Sequence, residues 1–134
     1  MSADRRPLVL IVDDSSHVTG PLQILFEETG RRVVIACSVA TAVRACEAER
    51  PDLMLLDLSL PDGDGLSVLE LLAGAPALPP VTVALTGHDD PLTAQRCRAA
   101  GCRDVLLKPV PVRDLLRRAS EWLPGEAAAG SPNG

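Results

Sequence analysis

Five short apolar runs, separated by stretches with helical periodicity, constrain the fold of this chain more than any other feature. Runs of leucine and β-branched residues of this length are typical of strands that are buried on both faces. They cover residues 8–12, 33–36, 53–56, 81–85 and 105–107. Buried strands that alternate with helices predict a parallel sheet with helices packed on both of its faces.

The segments between these runs carry apolar residues at the spacing of amphipathic helices. The predicted helices cover about 15–29, 39–50, 66–72, 91–100 and 112–123. Gly20-Pro21 interrupts the first helix, and we expect a kink or a late start there because proline removes a hydrogen-bond donor. Ser38 and Asp64 are the predicted caps of the second and third helices.

A turn over 61–65 follows the third strand, and its glycines are expected to supply positive φ angles. The run Asp62-Gly63-Asp64-Gly65 has a superficial likeness to a calcium-binding loop. With Gly65 at the sixth position of such a loop, Leu60 and Leu71 would stand where calcium ligands are required. We therefore interpret this turn as structural.

Composition narrows the range of functions. The 134 residues, 46% of them hydrophobic, suit one domain, and the net charge of −5 with one Phe, one Trp and no Tyr argues against direct nucleic-acid binding. No apolar run approaches the roughly 20 residues of a membrane span, and the N-terminus lacks the apolar core of a signal peptide. We therefore expect a cytoplasmic protein that does not contact the membrane.

The four cysteines form no CxxC pair, and the chain has only two histidines, so a zinc site is hard to assemble. We expect the cysteines to be buried small hydrophobic residues in a reducing compartment. We expect His88 to be an ordinary loop residue and Trp122 to pack the last helix against the core.

Polar residues follow four of the five predicted strands. Asp13 and Asp14 follow the first strand, Asp57 the third, Thr86 the fourth and Lys108 the fifth. In open parallel sheets, ligands bind beyond the carboxyl ends of the strands, where the strand order reverses. The second strand ends in Cys37-Ser38, which places it at the sheet edge, away from this site.

Three carboxylates that converge on one crevice repel one another, and Lys108 compensates only part of that charge. An acid at the start of a helix is often only a favourable surface charge, but the matching residues at the other strand ends favour a site. A divalent cation with oxygen ligands, Mg²⁺, would complete the compensation. Asp57 could then act as a nucleophile on a phosphoryl group, with its oxygens held by Thr86 and Lys108.

At this point the sequence resembles the receiver domain of two-component response regulators, of the chemotaxis-regulator type. The resemblance covers about Leu8 to Leu123. It is carried by five motifs: Val12-Asp13-Asp14-Ser15, Pro51-Asp52-Leu53-Met54-Leu55-Leu56-Asp57, Leu60-Pro61-Asp62-Gly63-Asp64-Gly65, Leu85-Thr86-Gly87 and Lys108-Pro109.

The resemblance implies a flavodoxin-like, doubly wound α/β fold: five parallel strands in the order 2-1-3-4-5 and five helices, in three α/β/α layers. It divides the chain into a lead-in (1–6), a receiver domain (7–124) and a flexible tail (125–134). The Lys108-Pro109 bond is expected to be cis.

The resemblance also implies the roles of the site residues. Asp57 would accept a phosphoryl group from a histidine kinase or a histidine phosphotransfer protein. Asp13, Asp14, Asp57 and the backbone carbonyl of Ser59 would hold Mg²⁺. Thr86 and Lys108 would bind the phosphoryl group.

The implied output is a changed protein-binding surface formed by the fourth helix, fifth strand and fifth helix. The protein would be a signalling domain that catalyses only its own phosphorylation and dephosphorylation. We expect a single-domain regulator without a DNA-binding output.

One position departs from the family pattern, and two others lie where the family varies the rate of phosphoryl hydrolysis. Val105 stands where the family usually has an aromatic residue coupled to the threonine, which puts the usual switch in doubt. Ser59 and His88 flank the phosphoryl site where the family tunes hydrolysis, so we expect an altered phosphoryl lifetime.

Three alternatives remain open. A haloacid-dehalogenase-type phosphatase also has a nucleophilic Asp after a strand, but it needs an acid at the position of Ser59. A flavodoxin-like electron carrier would have a first loop rich in hydroxyls and glycine rather than two acids. The chain could also be a receiver cut from a hybrid kinase or a larger regulator, against which Met1 and the tail argue mildly.

Overall fold

The computed structural model describes residues 6–123. The predicted tail and all but the last residue of the predicted lead-in lie outside the described residues, and the domain limits 7–124 stay a prediction. The main strands are β1 (Leu8–Val12), β2 (Arg32–Ala36), β3 (Leu53–Asp57), β4 (Thr82–Thr86) and β5 (Asp104–Leu107). The helices are α1 (Ser16–Glu28), α2 (Val39–Ala48), α3 (Ser67–Leu72), α4 (Pro91–Ala100) and α5 (Val112–Trp122).

All five strands run parallel in one sheet with the order β2-β1-β3-β4-β5, which confirms the predicted order. The alternating side chains of the strands feed two apolar clusters, one on each face. One cluster packs the sheet against α2, α3 and α4, and the other packs it against α1 and α5. The predicted three layers are therefore confirmed, and β2 lies at the edge of the sheet.

Helix α1 begins at Ser16 and continues through Pro21, so the late start that we considered is wrong. Gly20 helps to explain this tolerance, because the residue before a proline is disfavoured in a helix by clashes of its backbone amide and its Cβ with the proline ring. Without a Cβ, Gly20 avoids the second of these clashes.

The predicted cap of α2 is confirmed, since the Ser38 side chain accepts a bond from the Thr41 amide in a capping box. The predicted cap of α3 is wrong. Leu66 occupies the cap position without a side-chain bond, and Asp64 lies two residues earlier, where its Oδ1 accepts a bond from the Leu66 amide at 2.9 Å.

The turn after β3 is a short antiparallel hairpin, Ser59–Leu60 with Gly63–Asp64, which periodicity did not predict. Gly63 has a φ of +146°, as expected for a glycine in a turn. Gly65 has no positive φ, so that part of the expectation is wrong. Glycine is favoured at position 65 for steric reasons instead, because a Cβ there would lie 2.0 Å from the carbonyl oxygen of Asp57.

Three of the cysteines are buried as expected, but Cys37 is exposed at the end of β2, which corrects the prediction for that residue. Burial raises the pKa of Cys46 to about 11 and that of Cys102 to about 12, so these thiols stay protonated at neutral pH. Trp122 is buried against the α1–α5 side of the sheet, which confirms its packing role. Within residues 6–123, every helix falls short of the length and apolar character needed to cross a bilayer.

The close approach of Gly65 to the Asp57 carbonyl makes a testable prediction. Gly65→Ala should lower the free energy of unfolding by about 1–3 kcal/mol, because the backbone after β3 must move to admit the methyl group. Urea unfolding followed by circular dichroism measures the change. Gly87→Ala is the matched control, since Gly87 lies in open space and its φ is not positive. Equal losses in the two variants would contradict the steric explanation.

Candidate functional site

The carboxyl ends of the strands bring three carboxylates together. Asp13 directly follows β1, Asp14 comes next, and Asp57 is the last residue of β3. One carboxylate oxygen from each of the three lies within 4.8 Å of the others. Asp13 is 1% exposed and Asp57 is 6% exposed, whereas Asp14 faces solvent. Two of the three charges therefore sit where water compensates them poorly.

Lys108, which directly follows β5, supplies the cation within this cluster. Its Nζ donates to Asp13 Oδ2 at 2.8 Å and lies 3.3 Å from Asp57 Oδ1. Burial alone would lower the pKa of Lys108, but the hydrogen bond and charge of Asp13, with those of Asp57, raise it overall. The lysine is therefore protonated at neutral pH and joins the ends of β1 and β3.

The pKa of Asp57 is raised above its usual value of 3.8. Burial is the main cause, and the Asp13 charge adds to it. The Ser59 amide, which donates to Asp57 Oδ1 at 3.2 Å, and the Lys108 ammonium act in the opposite direction without cancelling the shift. Asp57 is thus a carboxylate whose ionised form is incompletely compensated by the surrounding chain.

Thr86 ends β4 and is buried beside this cluster. Its Oγ1 accepts a bond from the His88 amide at 3.0 Å, and its carbonyl accepts one from the Lys108 amide at 2.7 Å. The second of these bonds ties Thr86 to Lys108 through the main chain. The His88 side chain is exposed, as expected for a loop residue. The predicted cis Lys108-Pro109 bond is also confirmed.

The donor set fits a small hard cation. Three carboxylates and one ammonium leave two uncompensated negative charges in the cluster. Mg²⁺ binds oxygen ligands at about 2.0–2.1 Å and accepts a small number of carboxylates together with water. Oxygens that already lie within 4.8 Å of one another are near the spacing that such a cation needs.

Sequence reasoning missed one residue beside the site. Asp62, at the tip of the hairpin, accepts bonds from the Val39 and Ala40 amides at 2.8 and 3.1 Å, so it caps the N-terminus of α2. These bonds lower the pKa of Asp62. The partners are separated by more than twenty residues in sequence, and no local pattern could have revealed them.

Opposite pKa shifts give a paired prediction for the magnesium-free protein. Asp57 binds its proton more tightly in the folded state, so its ionisation lowers stability as the pH rises through its raised pKa. We expect Asp57→Asn to raise the free energy of unfolding at pH 7, and the gain to vanish below pH 3.8. Asp62→Asn should lower stability at pH 7, because the contribution of a depressed pKa is present above its unfolded value and lost as the pH falls. Urea unfolding in a chelator from pH 7 to pH 3 measures both effects. A destabilised Asp57→Asn protein at pH 7 would contradict this account.

Comparison with known proteins agrees with this geometry. The family model of the response regulator receiver domain matches residues 9–120. The transcriptional regulatory protein KdpE of Mycobacterium tuberculosis is 33% identical over 111 residues, which are 83% of this chain and 48% of that protein. The chain likewise spans about half the length of other curated relatives, which are also named as transcriptional regulatory proteins.

Two solved structures share the fold closely. A CheY-like response regulator receiver domain from Methanospirillum hungatei is 28% identical with a TM-score of 0.81, and the match covers 92% of this chain and 98% of that one. The receiver domain of the sensor histidine kinase PA1611 from Pseudomonas aeruginosa is 27% identical with a TM-score of 0.78, covering 88% and 98%. That structure has a magnesium ion coordinated in its active-site cleft. This chain belongs to the response regulator receiver domain family, the signalling domains of two-component systems.

Proposed function

We propose that Asp57 accepts a phosphoryl group from the phosphohistidine of a histidine kinase or a histidine phosphotransfer protein. In this transfer the P–N bond of the donor breaks and a P–O bond to the Asp57 carboxylate forms. The observation that carries the proposal is the position of Asp57, a buried carboxylate with a raised pKa that lies among two further acids and one lysine. Phosphoryl transfer requires little more than such positioning and charge compensation.

The neighbours of Asp57 divide the remaining work. Asp13, Asp14, Asp57 and the Ser59 carbonyl would hold Mg²⁺, which supplies charge neutralisation for the phosphoryl oxygens. The Lys108 ammonium, already 3.3 Å from Asp57 Oδ1, is placed to attract a phosphoryl oxygen. The Thr86 hydroxyl is buried at the adjacent strand end and can donate its hydrogen to another.

Two properties of the phosphorylated protein are part of this proposal. The signal would leave through the surface of α4, β5 and α5, where a downstream protein would bind. Ser59 and His88 are both exposed beside the site, and we propose that they set the lifetime of the phosphoryl group.

The known relatives favour a second form of output. They are transcriptional regulatory proteins, and this chain covers about half of their length. The receiver could therefore act on transcription through a DNA-binding partner or a further domain. The likeness to transcriptional regulators weakens our expectations of a single-domain regulator and of an output without nucleic acid. The acidic composition still argues against direct contact of this domain with nucleic acid.

Phosphorylation of Asp57 can be measured directly by intact mass. We expect the wild-type chain, incubated with acetyl phosphate and Mg²⁺, to gain the mass of one phosphoryl group, and the gain to be lost in excess EDTA. Asp57→Asn should show no gain because the nucleophile is absent. Asp52→Asn is the matched control. Asp52 directly precedes the first residue of β3, at the other end of the strand from Asp57, and its carboxylate accepts a hydrogen bond from the Leu8 amide. An equal mass gain in the Asp57→Asn protein, or no gain in wild type, would refute the proposal.

A further inference from the structure

The Ser59–Asp64 hairpin has little apolar packing to fix its position. Of its residues only Leu60 is buried, at 9% exposure, and Asp64 is partly buried. The rest are exposed: Ser59, Pro61, Asp62 and Gly63. A segment with one buried apolar side chain must be positioned by its polar contacts.

The first of these contacts is made by the tip of the hairpin. The Asp62 carboxylate accepts bonds from the first amides of α2, those of Val39 and Ala40. The negative charge is also favourable at this helix end. Helix α2 therefore has two caps, a local one from Ser38 and one from the hairpin.

The second contact is made by the returning strand of the hairpin. Asp64 lies opposite Ser59 in the antiparallel pair, and its Oδ2 forms an ion pair with Arg96 of α4. Its Oδ1 accepts the Leu66 amide, so both oxygens are engaged. The hairpin is thus tied to α2 at its tip and to α4 at its return strand.

We propose that Asp62 and Arg96 are positioning residues for the magnesium site. Neither touches the carboxylate cluster, but through the hairpin they hold the Ser59 carbonyl in register with Asp57, to which the Ser59 amide is bonded. This inference rests on the proposed function, in which Ser59 contributes a ligand oxygen. Exposed ion pairs contribute little to global stability, whereas residues that orient metal ligands change metal affinity strongly.

The Arg96 contact is tested by calorimetric titration of the full chain with MgCl₂. Arg96→Gln should weaken magnesium binding about tenfold, the lower end of the effect of residues that orient ligands. Arg96→Lys should restore most of the affinity because it keeps a cation near Asp64. Arg98→Gln is the control, since Arg98 is exposed on the same helix, two residues away, and should leave the affinity unchanged.

The Asp62 contact is tested by comparing two caps of the same helix. Asp62→Ala removes the cap that belongs to the hairpin, and Ser38→Ala removes the local cap without touching the hairpin. We expect weaker magnesium binding only in Asp62→Ala. Thermal unfolding of both variants reports the loss of helix stability separately.

The outcomes separate this inference from the proposed function. If the wild-type protein gains a phosphoryl group and all the variants bind Mg²⁺ as tightly as it does, the positioning roles are overturned and the proposed function stays intact. Equal weakening in Ser38→Ala and Asp62→Ala would assign the effect to α2 and also overturn the inference. A wild-type protein that gains no phosphoryl mass would overturn the proposed function itself.

Discussion

The arrangement of charges at the carboxyl edge of the sheet depends on the Lys108 ammonium, which donates to Asp13 and lies close to Asp57. This ammonium joins residues at the ends of β1, β3 and β5, which are remote in sequence. Without it, two nearly buried carboxylates would lie close together without a cation between them, and each would cost several kcal/mol in desolvation. With it, the cluster keeps two negative charges, an amount that a divalent cation can compensate.

The apolar strands are what make this charge placement precise. Five residues of β3 are buried, and Asp57 closes the strand in register with Leu85 of β4. The clusters on the two faces hold the strand from both sides, so the carboxylate has little freedom to move away from its neighbours. The core thereby holds an incompletely compensated charge at one edge of the sheet, where a cation would be stabilising.

Sequence reasoning reached the fold and the cluster because both follow from short patterns. Apolar runs locate the strands, and a parallel sheet gathers whatever follows them at one edge, which brought Asp13, Asp57 and Lys108 together. It failed where the cause lies in three-dimensional contacts. Asp62 binds amides far away in the chain, and Gly65 is required by a carbonyl that only the folded backbone brings near.

Val105 shows that the receiver fold forms without the aromatic residue that the family usually has at this position. Its side chain is partly buried, packs against the cluster shared by α2, α3 and α4, and lies in register with Ala84. A valine is stiff at χ1 and has no ring that could turn between a buried and an exposed position. The Asp64–Arg96 ion pair, by contrast, joins the hairpin that follows Asp57 directly to α4. In this chain, therefore, an ion pair connects the hairpin after Asp57 to α4, while Val105 stands at the position where the family usually has an aromatic residue.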